Sequence, residues 1–190
     1  MMLPQSPSQT VGPFFHDALI HGGENVLVGE GAAGQRIYLE GRVLDGDGQP
    51  VPDAMLEIWQ ADAFGYFNHP ADPNQAKADP FFRGFGRSDT AQEGRFWFKT
   101  VKPGPVPWDD TQKQAPHVNV RVFARGMLIH AVTRLYFSDE SANQSDPVLN
   151  SVPPERRPTL IAQLKESDDL PTYCFDIRLQ GEGETVFFNP

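Results

Sequence analysis

Eighteen prolines and seventeen glycines are scattered between short apolar runs along the 190 residues, and this punctuation constrains the fold more than any other feature. Proline fixes φ and removes a backbone donor, while glycine supplies the conformations that tight turns need. Long helices are therefore disfavoured and short strands joined by turns are favoured. The runs between them read as strands over 36–44, 54–61, 95–101, 117–124, 128–136, 173–179 and 184–188. That pattern predicts an all-β domain, an antiparallel β-sandwich, with one or two short helices. Asp45-Gly46-Asp47-Gly48 reads as the turn between the first two strands. It is not a calcium loop, because the sixth position is Pro50 and the twelfth Leu56. One helix is expected near Pro158, where Leu160, Ile161 and Leu164 form an apolar stripe.

The segment from His117 alternates strictly. Val118, Val120 and Val122 should face a core, while His117, Asn119 and Arg121 share the opposite face. Two imidazoles at i and i+2 on a strand would converge on one cation. Here the second position is a carboxamide, which lacks the basic nitrogen that iron or zinc prefers. His16, His21, His69 and His130 show no spacing that suggests ligands, and Asp109-Asp110, Glu57 and Asp62 read as solvated charges.

The balance of 16 basic to 25 acidic residues gives a net charge of −9, which argues against nucleic acid or an anionic membrane as partner. A single cysteine, Cys174, allows no internal disulfide, suits a reducing cytosol and reads as a small core hydrophobe beside Tyr173 and Phe175. Met1-Met2-Leu3-Pro4 does not begin a signal peptide and no apolar run is long enough to span a membrane, so a cytoplasmic protein is expected. Residues 1–15 read as an extended N-terminal arm, with Phe14-Phe15 to anchor its base, and 16–190 as one domain. The arm is either a frayed terminus or a strap laid across a partner.

Several motifs in register resemble the intradiol ring-cleaving dioxygenases. They are Gly41-Arg42-Val43-Leu44-Asp45, Glu57-Ile58-Trp59-Gln60-Ala61-Asp62-Ala63, the segment from Gly94-Arg95-Phe96 to Lys102-Pro103-Gly104-Pro105, and the strand at His117. Ser8-Gln9-Thr10-Val11-Gly12-Pro13-Phe14, Phe123-Ala124-Arg125-Gly126 and Gly181-Glu182-Gly183-Glu184-Thr185-Val186-Phe187-Phe188 narrow the likeness to the α chains of members that cleave protocatechuate with two kinds of chain.

The resemblance implies Fe(III), protocatechuate and O2 as substrates, 3-carboxy-cis,cis-muconate as product, and a place in aromatic catabolism through the β-ketoadipate pathway. It places the family's two tyrosine and two histidine ligands at Phe67, Val106, His117 and Asn119, and a substrate-supporting arginine at Gln114. Three ligands of four are replaced, and a one-residue slip would bring in only Tyr66. The resemblance therefore implies a vestigial metal site here, no catalytic residue in this chain, and Fe(III) held by a partner β subunit. It implies that Thr10, Gly12, Pro13 and Arg125 line the pocket of that partner. Two alternatives stand beside this reading: a self-sufficient metal-dependent dioxygenase with unusual ligands, and a noncatalytic sandwich module that only binds.

Overall fold

Strand β1 (Arg36–Leu44) is the hub of the fold, and the computed structural model describes residues 12, 18–90, 93–167 and 169–189. One edge of β1 pairs antiparallel with β4 (Arg95–Val101), setting Arg36 opposite Val101. The other edge takes two short parallel partners in succession, β10 (Thr172–Cys174) and β11 (Ile177–Arg178). The sheet continues through β9 (Ile161–Lys165), β8 (Ala131–Phe137), β7 (His117–Phe123) and β2 (Met55–Trp59) to β3 (Phe85–Asp89). A small hairpin, β5 (Val106–Pro107) with β6 (Lys113–Gln114), lies outside this path.

All-β therefore holds, but the antiparallel sandwich does not. Nine strands form one sheet rather than two facing ones, and β1–β10, β1–β11 and β8–β9 are parallel pairs. The sheet curls until its ends approach, and the Trp97 amide of β4 donates to the Ser88 hydroxyl of β3 at 3.3 Å. The result is a nearly closed barrel. Alternating apolar residues point inward in a sandwich and a barrel alike, so the pattern alone does not distinguish them. Ile37 and Leu39, Leu56 and Ile58, Phe96 and Phe98, Val118, Val120 and Val122, and Leu135 and Phe137 fill the interior.

The expected helix at Pro158 is replaced by a 3-10 turn, Arg157–Leu160, leading directly into β9. β9 bridges β8 and β10, with Ala162 opposite Phe137 and Tyr173 opposite Leu164, so long-range pairing overrides the helical stripe. An α-helix lies instead at Pro147–Ser151, where Asp146 caps the Leu149 amide and Pro147 opens the first turn. The expected strand at 184–188 reduces to a bridge between Phe188 and Val132, and that at 128–136 begins only at Ala131. Cys174 is half-buried rather than a core residue, and its thiol donates to Glu40 at 3.5 Å. Among the described residues no helix is long and apolar enough to cross a membrane.

Candidate functional site

The outer face of β7 carries His117, buried at 4% exposure, then half-buried Asn119 and exposed Arg121. Neighbouring strands set Trp59 opposite Asn119 on one side and Arg134 opposite it on the other, with Tyr136 opposite His117. The loop after β2 returns Phe67 to this face, where its ring stacks on Trp59 with centroids 5.6 Å apart. Asp62 shapes that loop. Its carboxylate, 2% exposed, accepts from the amides of Phe64, Tyr66 and Asp79. Asp62 is thus a buried organiser and not a solvated charge, and Glu57 is likewise engaged, 2.8 Å from Arg87.

Two glycines dock this loop on the hairpin that bears Val106. Gly65 has φ +86, and a Cβ there would collide with the Pro105 carbonyl oxygen; one on Gly104 would meet the Ala63 oxygen at 2.6 Å. Val106 then pairs with Gln114, three residues before β7 begins at His117. Of the expected ligand positions, Phe67 is thereby linked to Asn119 through Trp59, and Val106 is paired with Gln114, which accepts from Arg134 across from Asn119. Tyr66 does not substitute for Phe67: its ring carries the Lys77 ammonium 5.6 Å from the centroid.

The polar groups of this patch are already committed to one another. Arg134 donates from Nη1 to Gln114 Oε1 at 2.7 Å, and its charge acts on the Tyr136 phenol. Tyr136 donates its hydroxyl to Asp146 Oδ1 at 2.9 Å, and the fully buried Asp146 accepts further from the amides of Ala115 and Leu149, each at 2.7 Å. His117 Nδ1 lies 2.8 Å from the Ala115 carbonyl oxygen, which makes that nitrogen the protonated one. Burial, then the Arg134 charge, lowers the imidazole pKa to about 4, against the raising effects of the Ala115 bond and Asp146. Burial first, and then the Asp146 charge, push the Tyr136 phenol well above its ordinary value.

This donor set does not fit ferric iron. Phenyl and isopropyl groups offer no lone pair, a carboxamide is a weak donor, and a single neutral imidazole supplies no charge. A guanidinium beside them adds like-charge repulsion. Sequence reasoning missed Arg134, Tyr136 and Asp146. Asp146-Pro147 was readable as a helix start, whereas Arg134 gains its meaning only from standing across from Asn119.

Arg125 sits elsewhere. β7 ends at Phe123, so Arg125 does not continue the parity of His117 and Asn119 but lies in the following turn, where Gly126 has φ +79. Six strand steps at about 3.3 Å each already set Phe123 roughly 20 Å from His117. The Arg125 side chain is 73% exposed, with Nε 3.1 Å from Asp53 Oδ2. It borders a groove of about 560 Å³ together with Met127, Ile129, His130, Phe187 and Phe188. Of the expected arm residues, Gly12 is described, and a Cβ there would meet nothing within 4 Å. Thr10, Pro13 and most of the 1–15 segment lie outside the described residues.

Comparison with known proteins agrees with this geometry. The family described as Dioxygenase matches residues 11–181. The protocatechuate 3,4-dioxygenase alpha chain of Pseudomonas putida is 46% identical over 201 residues, covering 99% of this chain and 98% of that one. The corresponding beta chain of Burkholderia cepacia is 35% identical over 188 residues, covering 96% of this chain and 78% of its own. Among solved structures, the dioxygenase domain of a carbohydrate-binding fusion from Streptomyces sp. SirexAA-E shares the fold, with a TM-score of 0.65, 23% identity and coverage of 92% and 97%. This chain belongs to the intradiol dioxygenase family.

Proposed function

We propose that this chain is the noncatalytic α component of a protocatechuate 3,4-dioxygenase, paired with a homologous β chain that holds Fe(III). The assembled enzyme cleaves protocatechuate between its two oxygenated carbons with O2, giving 3-carboxy-cis,cis-muconate. The observation that carries this reading is that positions 67, 106, 117 and 119, linked through Trp59, Gln114 and Arg134, keep an imidazole at 117 alone. The likeness to alpha chains over nearly the full length supports it.

What this chain contributes is surface and charge. Arg125, exposed on its turn and restrained by Asp53, is available to meet the substrate carboxylate in the β chain's pocket. The N-terminal arm, with Thr10, Gly12 and Pro13, completes that pocket and excludes water. Leu128 and Ile129, 78% and 65% exposed, flank the same turn and suit burial in a permanent interface of more than roughly 2,000 Å² in total. A lone half-buried thiol, with no second cysteine to pair it, suits the cytoplasm.

Separate and joint expression test the reading. The α chain alone should be colourless and free of stoichiometric iron, whereas co-expression with β should give a coloured complex that turns over protocatechuate. An iron-loaded, active α chain on its own overturns it.

A further inference from the structure

The patch at His117 has not simply lost donors; it has acquired a charge. Arg134 lies on the outer face of β8 directly across from Asn119, one of the positions where the family reading places a metal ligand. Its Nη1 donates to Gln114 Oε1 at 2.7 Å, and Gln114 in turn pairs with Val106, a second such position. On the same strand Tyr136 stands opposite His117, a third. The fourth position, Phe67, is linked to Asn119 through Trp59, on which its ring stacks. A planar, permanently charged group with several donors in a fixed fork suits this position beside the Gln114 acceptor.

We propose that Arg134 is a built-in cation that occupies the role of a metal charge at this locus and by itself keeps metal ions out. The inference rests on reading positions 67, 106, 117 and 119 as the family's ligand positions. A buried anion stands at this locus: Asp146 is fully buried and accepts from the Tyr136 hydroxyl, and the Arg134 charge acts on the same phenol. With Arg134 present, a metal ion entering the patch meets a fixed positive charge.

The test uses the α/β complex and compares three α chains: wild type, the ligand-restored variant Phe67→Tyr with Val106→Tyr and Asn119→His, and the same variant carrying Arg134→Leu. Iron per complex and the visible tyrosinate band are measured. The ligand-restored variant should hold no iron beyond that of the wild-type complex, and adding Arg134→Leu should bring in further iron and a stronger band. Equal gain with Arg134 in place overturns the proposal, as does no gain from a properly assembled Arg134→Leu combination. If that combination fails to assemble, thermal melting of single variants decides. Arg134→Lys should keep more of the melting temperature than Arg134→Met, and equal losses overturn the proposal. Iron in the wild-type α chain would instead overturn the ligand-position reading beneath it, and the same preparations show which has failed.

Discussion

The ring of Phe67 lies on that of Trp59 with centroids 5.6 Å apart and planes only 11° from parallel, while His69 meets the same indole edge-on at 5.8 Å. A loop side chain is thus fixed on a strand side chain by ring stacking. Trp59→Ala should cost about 2 kcal/mol, from lost half-buried area and two ring contacts. Phe67→Tyr adds one hydroxyl at a half-buried position and should change stability by less than about 1 kcal/mol. Urea unfolding of the two variants checks both, and equal effects would mean the stack contributes nothing.

Asp146 joins the helix Pro147–Ser151, the start of β7 and β8 through one carboxylate. Asp146→Ala removes the cap and leaves two amides and a phenol without an acceptor, so a loss of roughly 3 kcal/mol is expected. Tyr136→Phe should cost about 1 kcal/mol, and the double variant less than the sum because the two share a bond. Additive losses in denaturant unfolding would show that the residues act separately.

His117 links stability to pH. Its folded pKa of about 4 lies below the ordinary 6.5, so the unfolded chain binds more protons between those values. Stability from keeping this imidazole neutral is fully present above about pH 6.5 and declines as pH falls toward 4, by about 3 kcal/mol across the window. Denaturant midpoints measured from pH 7 to 4 should fall for the wild type and fall less for His117→Gln. Parallel curves would place the acid sensitivity in other groups.

Strands β1 and β4 were legible with their boundaries, because alternation and flanking turns act locally there. The strict alternation of β7 likewise put Val118, Val120 and Val122 in the core and His117 on the other face. β9 was not legible. Its Leu160, Ile161 and Leu164 spacing fits a helix, and only its pairing with β8 and β10 makes it a strand. Barrel closure was hidden for the same reason, since inward alternation says nothing about which edges meet. The replaced ligand positions could be read one by one through the family resemblance. That Arg134 faces them depends on the β7–β8 register, which alternation leaves open, and a cation on a strand otherwise reads as solvated. Arg125 lies beyond the reach of that alternation, because β7 ends at Phe123.

Arg125 is the residue through which this chain should touch substrate chemistry. Its side chain is 73% exposed and Asp53 Oδ2 lies 3.1 Å from its Nε, so it is oriented but not buried in a structural pair. In the α/β complex, Arg125→Ala should leave iron content and assembly close to wild type and raise the KM for protocatechuate. A lost hydrogen bond to a charged group is worth roughly 1.5–3 kcal/mol, so the rise should be on the order of tenfold or more where KM tracks binding. Catechol lacks the carboxylate, and its KM should move far less. Asp53→Asn gives the opposing control: it releases Arg125 from its neighbour, so it should affect protocatechuate more weakly than Arg125→Ala does. Steady-state kinetics on both substrates separates the outcomes. Equal rises for protocatechuate and catechol would make Arg125 a support of the interface, and wild-type behaviour on both would leave it no part in the shared site.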